Sequence, residues 1–118
     1  MNEKQFENKV KAFLKEQGCW FVKTWSNGIQ REGIPDLLIC CNGYFLGVEL
    51  KAAKGKPSAL QLWNIDQIQK AGGVGIVLYP DQFEEFKDLI ETAIENIPDE
   101  LFLNQEFFDE RKNNGSKD

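Results

Sequence analysis

Asn42-Gly43, set between two apolar runs, constrains this chain more than any other feature. An Asn-Gly pair in that setting is the strongest short-range hairpin signal, because a two-residue turn needs φ > 0 at both positions. With Asn42 and Gly43 as the turn, Cys41 faces Tyr44, and counting outward places Asp36 opposite Glu49. Directly opposed residues of an antiparallel pair share a sheet face, with Cβ atoms roughly 4.5–5.5 Å apart. Lys51, two residues beyond Glu49, points to the same face.

Two carboxylates opposed on a sheet repel. A divalent hard cation can bridge them, since Mg²⁺ takes oxygens from one or two carboxylates together with waters and phosphate. Alternatively, one of the two is protonated, as in an acid/base dyad. Lys51 favours the cation, because an ammonium there can orient a water or neutralise a phosphate oxygen. The bland alternative is a surface ladder of Asp, Glu and Lys with little energetic weight. Glu49 argues against it, for it interrupts the apolar run Val48-Glu49-Leu50, and a charge buried there needs a partner or a metal.

Pro35-Asp36 followed by Glu49-Leu50-Lys51 resembles the signature of the PD-(D/E)XK nucleases. Gly33-Ile34-Pro35-Asp36, Val48-Glu49-Leu50-Lys51, Gly55-Lys56-Pro57 and Leu60-Gln61 together resemble, more narrowly, the virus-type replication-repair nuclease (VRR-NUC) domain, from about Glu3 to Leu78. The resemblance implies a metal-dependent DNA endonuclease of a phage-type replication or repair setting. Asp36, Glu49 and the Leu50 carbonyl would hold Mg²⁺ or Mn²⁺, with Glu7, or failing it Glu3, as the first-helix acid. Lys51 would be the catalytic lysine, and Gln61 the helix glutamine that approaches it. The resemblance to Holliday-junction resolvases further implies branched or four-way DNA as partner and a homodimer.

The rest of the chain reads as α-β-β-β-α-β-α, a three-layer α/β arrangement with a mixed sheet. Phe6, Val10, Phe13 and Leu14 form a helical stripe over 3–17, closed by Gly18. Cys19–Trp25 reads as a strand with Trp20, Val22 and Thr24 on one face, and 26–35 as a loop. Strands follow at 36–41 and 44–51. Ser58 is the expected N-cap of a helix over 59–71, and 74–79 is a strand buried on both faces. A helix between the strands at Tyr44 and Val74 requires those strands to run parallel. A second amphipathic helix spans 81–96. Residues 1–96 are expected to form the nuclease domain, 97–111 a short helical extension and 112–118 a disordered tail. The apolar cluster Leu101 to Phe108 is either a dimer surface or a lid on the core.

Net charge is −5, at first sight unsuited to DNA. Residues 1–79 carry ten Lys/Arg against seven Asp/Glu, a net of +3, and 80–118 carry four against twelve, a net of −8. Three of the first seven acids are Glu7, Asp36 and Glu49, so a bound cation makes that part more positive still. Lys54, Lys56 and Arg31, in loops flanking the cluster, are the candidate phosphate contacts. Trp25 and Trp63 are expected in the core rather than stacked on bases. The absence of histidine excludes a His-based triad. Three cysteines without metal-ligand spacing argue against a zinc site and suit a reducing cytoplasm, bacterial or that of a phage-infected host. The N-terminus does not read as a signal peptide, and no apolar run approaches a membrane span. Rival readings are an inactive DNA-binding or scaffold protein with the same fold, and a hydrolase of another phosphate ester. The intact acid-acid-lysine set argues against the inactive reading.

Overall fold

The hairpin forms as its turn residues require. Asn42 (φ 51°) and Gly43 (φ 86°) both adopt positive φ, and Leu37 pairs with Val48, Ile39 with Leu46 and Cys41 with Tyr44. The computed structural model describes residues 1–25 and 32–114. Its elements are α1 (Glu3–Glu16), β1 (Trp20–Lys23), β2 (Leu37–Cys41), β3 (Tyr44–Leu50), α2 (Ala59–Lys70), β4 (Val74–Leu78), a 3₁₀ turn (Pro80–Gln82), α3 (Phe83–Glu95) and α4 (Pro98–Asn114). The sheet runs β1-β2-β3-β4. The first two pairings are antiparallel and β3–β4 is parallel, as the intervening helix demands.

One sheet face turns Leu37, Ile39 and Cys41 inward, and the stripe of α1 (Phe6, Val10, Leu14) and α3 (Phe86, Leu89, Ile90) joins them in a single core. On the other side α2 packs over β3 and β4, while α4 packs on β4 and α3 and sends Leu101 and Phe108 into the core with α1 and α3. β4 is a sheet edge, and an edge exposes unpaired backbone groups. Helix side chains cap it: Gly75 N donates to Gln105 Oε1 at 2.9 Å, and Gln69 Nε2 donates to Gly75 O at 2.8 Å.

Three expectations need correction. Trp63 and Trp25 are not core residues; they are 50% and 63% exposed, and Trp20 of β1 is 65% exposed. The cause is coverage. α2 lies over β3 and β4, so the β1–β2 half of that sheet face leaves Trp20 in solvent, while Trp63 stands on α2 itself, whose buried residues are Asn64 and Ile65. The cluster Leu101 to Phe108 divides: Leu101 and Phe108 are fully buried in the core, while Leu103 and Phe107 point outward. The last helix is neither short nor finished at 111. It continues to Asn114, because Lys112, itself buried, pairs with Asp109 one turn back at 3.1 Å. Residues 115–118 lie outside the described residues, as does Arg31. Among the described residues, no helix is long and apolar enough to cross a membrane.

Candidate active site

At one end of the sheet a cavity of about 330 Å³ is lined by Glu3, Lys4, Glu7, Lys23, Asp36, Glu49, Leu50, Lys51 and Gln61. Asp36 immediately precedes β2, where Thr24 N donates to its carbonyl at 2.8 Å. Its side chain acts as a substitute backbone acceptor, Oδ2 receiving Leu50 N at 2.9 Å. This bond ties the carboxylate to the end of β3, beside Glu49. The approach to Asp36 depends on Gly33. A Cβ there would lie 2.6 Å from Leu60 Cγ, and the residue has φ +81°, so a side chain at 33 would push the Gly33-Ile34-Pro35 segment off α2.

Glu49 is 3% exposed. Gln61 Nε2 donates to its Oε2 at 3.0 Å, and Lys51 Nζ lies 3.4 Å from the same oxygen. Gln61 can do this because its other amide atom is committed. Ser58 and Gln61 form a capping box, in which Ser58 N donates to Gln61 Oε1 at 2.8 Å and Gln61 N to Ser58 Oγ at 3.1 Å. The helix cap thereby fixes which end of the amide faces Glu49. Oε1 of Glu49 is buried and has no partner. Burial and the nearby Asp36 charge push the Glu49 pKa up to about 8, against an opposing pull from Lys51. Without a cation the pair therefore retains a proton, the second of the two ways of relieving its repulsion.

Glu7 reaches the same cavity from α1. Its carboxylate meets Lys4 and Lys11 through Oε2, each at 3.2 Å, and Lys23 through Oε1 at 3.0 Å. Burial alone would raise its pKa, but hydrogen bonds from Lys23, Lys11 and Lys4 outweigh burial and lower it to about 2. Lys23 also lies 3.4 Å from Asp36 Oδ1, so one ammonium joins the α1 acid to the hairpin acid. Sequence reasoning missed Lys23. Its signal was available: Lys23 alternates with Trp20 and Val22 and therefore points to the other face, and it pairs with Leu37, the residue after Asp36. Lys54 and Lys56 lie in the exposed segment between β3 and α2, next to the cavity in sequence but not among its lining residues.

These residues fit a divalent cation. The fit rests on the Asp36–Glu49 pair and the buried, partnerless Oε1, a chemically hard oxygen in the cavity. Among the described residues, no three Asp, Glu, Cys or His side chains converge to form a metal cluster. Glu7, expected as a further ligand, is instead engaged by three lysines.

The family model for archaeal Holliday junction resolvases (Hjc) matches residues 2–74, which span every acid of the cavity together with Lys51 and Gln61. The chain belongs to the Hjc family. It is thus a nuclease-family protein with the PD-(D/E)XK fold. A solved VRR_NUC domain superposes with a TM-score of 0.61 at 27% identity, covering 73% of this chain and 94% of that one. The Hjc of Archaeoglobus fulgidus, a Holliday junction resolvase from an archaeal hyperthermophile, shares the fold with a TM-score of 0.52 at 19% identity, covering 64% and 66%. No curated protein matches the sequence. For this Hjc-family chain the α/β fold expected from the hairpin and the helix spacing stands.

Proposed function

We propose that the protein is a divalent-metal-dependent endonuclease that hydrolyses phosphodiester bonds of branched DNA, four-way junctions above all, in a phage-type replication or repair setting. The observation that carries this reading is the Asp36–Glu49 carboxyl pair with its partnerless oxygen, set beside Lys51 in a cavity of a chain whose family is that of the resolvases. Asp36, Glu49 and the Leu50 carbonyl would hold Mg²⁺ or Mn²⁺. The cation would supply Lewis acidity at the scissile phosphate. Gln61 holds Glu49 Oε2 and leaves Oε1 without a partner, the oxygen that would be offered to the cation. Lys51 presents an ammonium at the same carboxylate, where it can orient a water and neutralise a phosphate oxygen. Glu7 acts through Lys23, fixing the ammonium that holds Asp36. Lys54, Lys56 and Arg31 would bind the DNA backbone. Residues 1–96 would form the nuclease domain proper. Incubation with supercoiled, single-stranded and four-way-junction DNA tests the reading. Cleavage of the junction with Mg²⁺ or Mn²⁺ and none in EDTA is the expected result; metal-dependent binding with no product on any substrate would refute it.

A homodimer presenting two such sites would use the open half of the sheet rather than the Leu101–Phe108 segment. In support, Trp20, Cys40 and Phe45 lie in one cross-strand row and are all exposed. Phe45 also borders an apolar groove of about 430 Å³ against Ile68 of α2 and Ala71 just beyond it. Burying such side chains is favourable by roughly 25 cal/mol per Å². Sedimentation equilibrium should give twice the 13.5 kDa chain mass, and Trp20→Lys should return it to the monomer. A monomer mass for the unmodified chain at assay concentration excludes the dimer.

A further inference from the structure

The basic segment between β3 and α2 is held from outside by the end of the chain. Ala52 to Gly55 form a tight turn, closed by Gly55 N donating to Ala52 O at 2.9 Å. The turn begins directly after Lys51 and carries Lys54, with Lys56 next beyond it. Two distant side chains grip it. Tyr79, fully buried at the end of β4, donates its hydroxyl to Gly55 O at 2.8 Å. Arg111, from the last turns of α4, places its guanidinium 3.9 Å over the Tyr79 ring and donates Nη2 to Ala53 O at 3.4 Å. Its Nη1 pairs with Asp81. The helix that carries Arg111 is docked by Leu101 and Phe108 in the core and by Asp109, which accepts from Gln69. Tyr79 and Arg111 both lie past residue 74, where the family match ends.

We propose that Arg111 is a positioning residue for nucleic-acid binding. Through the Tyr79 ring and the carbonyls of Ala53 and Gly55, α4 fixes the turn that presents Lys54 and Lys56 beside Lys51. This rests on the reading that Lys54 and Lys56 contact DNA phosphates. Arg111 is not itself the phosphate contact, because its charge is already matched by Asp81. Its planar, forked group suits stacking and bonding at once, which an ammonium cannot reproduce. A flexible lysine pair pays more ordering entropy on binding than one on a fixed turn.

The test measures junction binding in EDTA, cleavage with Mg²⁺, and amide exchange over residues 51–56. Arg111→Ala should speed that exchange and raise Kd and KM about three- to ten-fold against a kcat within about two-fold, with the salt slope unchanged because no phosphate contact is lost. Tyr79→Phe should do the same more weakly, and Arg111→Lys should not rescue. In a Lys54→Ala/Lys56→Ala background, Arg111→Ala should add nothing, since its effect passes through those lysines. Additive losses would mean that Arg111 touches DNA directly and would overturn the proposal, as would unchanged exchange in the turn. The double lysine variant separates the two layers of argument. Normal affinity for it removes the phosphate role of Lys54 and Lys56, and with it the DNA-binding part of the proposal. Weakened affinity for it beside an unaffected Arg111→Ala removes the positioning role alone.

Discussion

Asp36→Asn is expected to abolish junction cleavage, by on the order of 10²–10³-fold or more, the usual cost of deleting a preorganised electrostatic group at a reacting centre. The substitution keeps the shape of the side chain and one acceptor oxygen, so the bond from Leu50 N that docks residue 36 on β3 survives. Lys23 loses one partner but keeps Glu7, 3.0 Å away. These ion pairs are partly exposed, and such pairs are worth about 1 kcal/mol or less, so the fold should remain. DNA affinity in EDTA and the melting temperature should stay near those of the unmodified chain while turnover disappears. Wild-type cleavage by this variant would sink the metal-site assignment, because no other acid in the cavity opposes Glu49 across the hairpin.

The second large effect concerns pH. Glu49 has a folded pKa of about 8 against the usual 4.5, through burial and the Asp36 charge, against an opposing pull from Lys51. Between those values the folded chain binds a proton that the unfolded chain does not. Stability from this group is therefore fully present below 4.5 and is lost as pH rises toward 8. Glu7 has the opposite sign. Its pKa falls to about 2 because the bonds from Lys23, Lys11 and Lys4 outweigh the burial that would raise it. Its contribution is complete above 4.5 and lost as pH falls toward 2. Both groups contribute in full only near pH 4.5–5. In EDTA, denaturant unfolding should show stability falling from there to pH 8 by on the order of a few kcal/mol. Glu49→Gln should flatten this decline, and millimolar Mg²⁺ should restore the unmodified chain at pH 8 by binding the deprotonated pair. Glu49→Gln should not respond to Mg²⁺ in the same way. An equal decline in Glu49→Gln would show that another group is responsible.

Glu49 thereby connects the two answers that the sequence left open. The protonated dyad and the proposed metal site would be the same carboxyl pair in two ligation states. The partnerless Oε1 is tolerable in a buried setting only because the pair can be neutralised by a proton or by a cation.

The legible part of this protein was local. Asn42-Gly43 dictates the turn, the turn dictates the register, and the register puts Asp36, Glu49 and Lys51 at one sheet end. Ser58 and Gln61, three residues apart, are readable in the same way, since a capping box is a contact within one helical turn. Even the parallel pairing of β3 and β4 followed from the helix between them.

Contacts between remote segments were not legible. Periodicity shows that a side chain faces inward, but it does not say which neighbour waits there. The engagement of Glu7 by Lys23, the exposure of Trp20 and Trp63, and the reach of Arg111 to Tyr79 depend on how α1, α2 and α4 are laid against the sheet. Hydrogen bonding along the backbone fixed the hairpin pair, because a two-residue turn leaves one register in which the strands can close. Tertiary packing alone decided the acid from α1, the lysine that binds it and the half of the sheet left open, because those positions follow from which apolar faces bury one another.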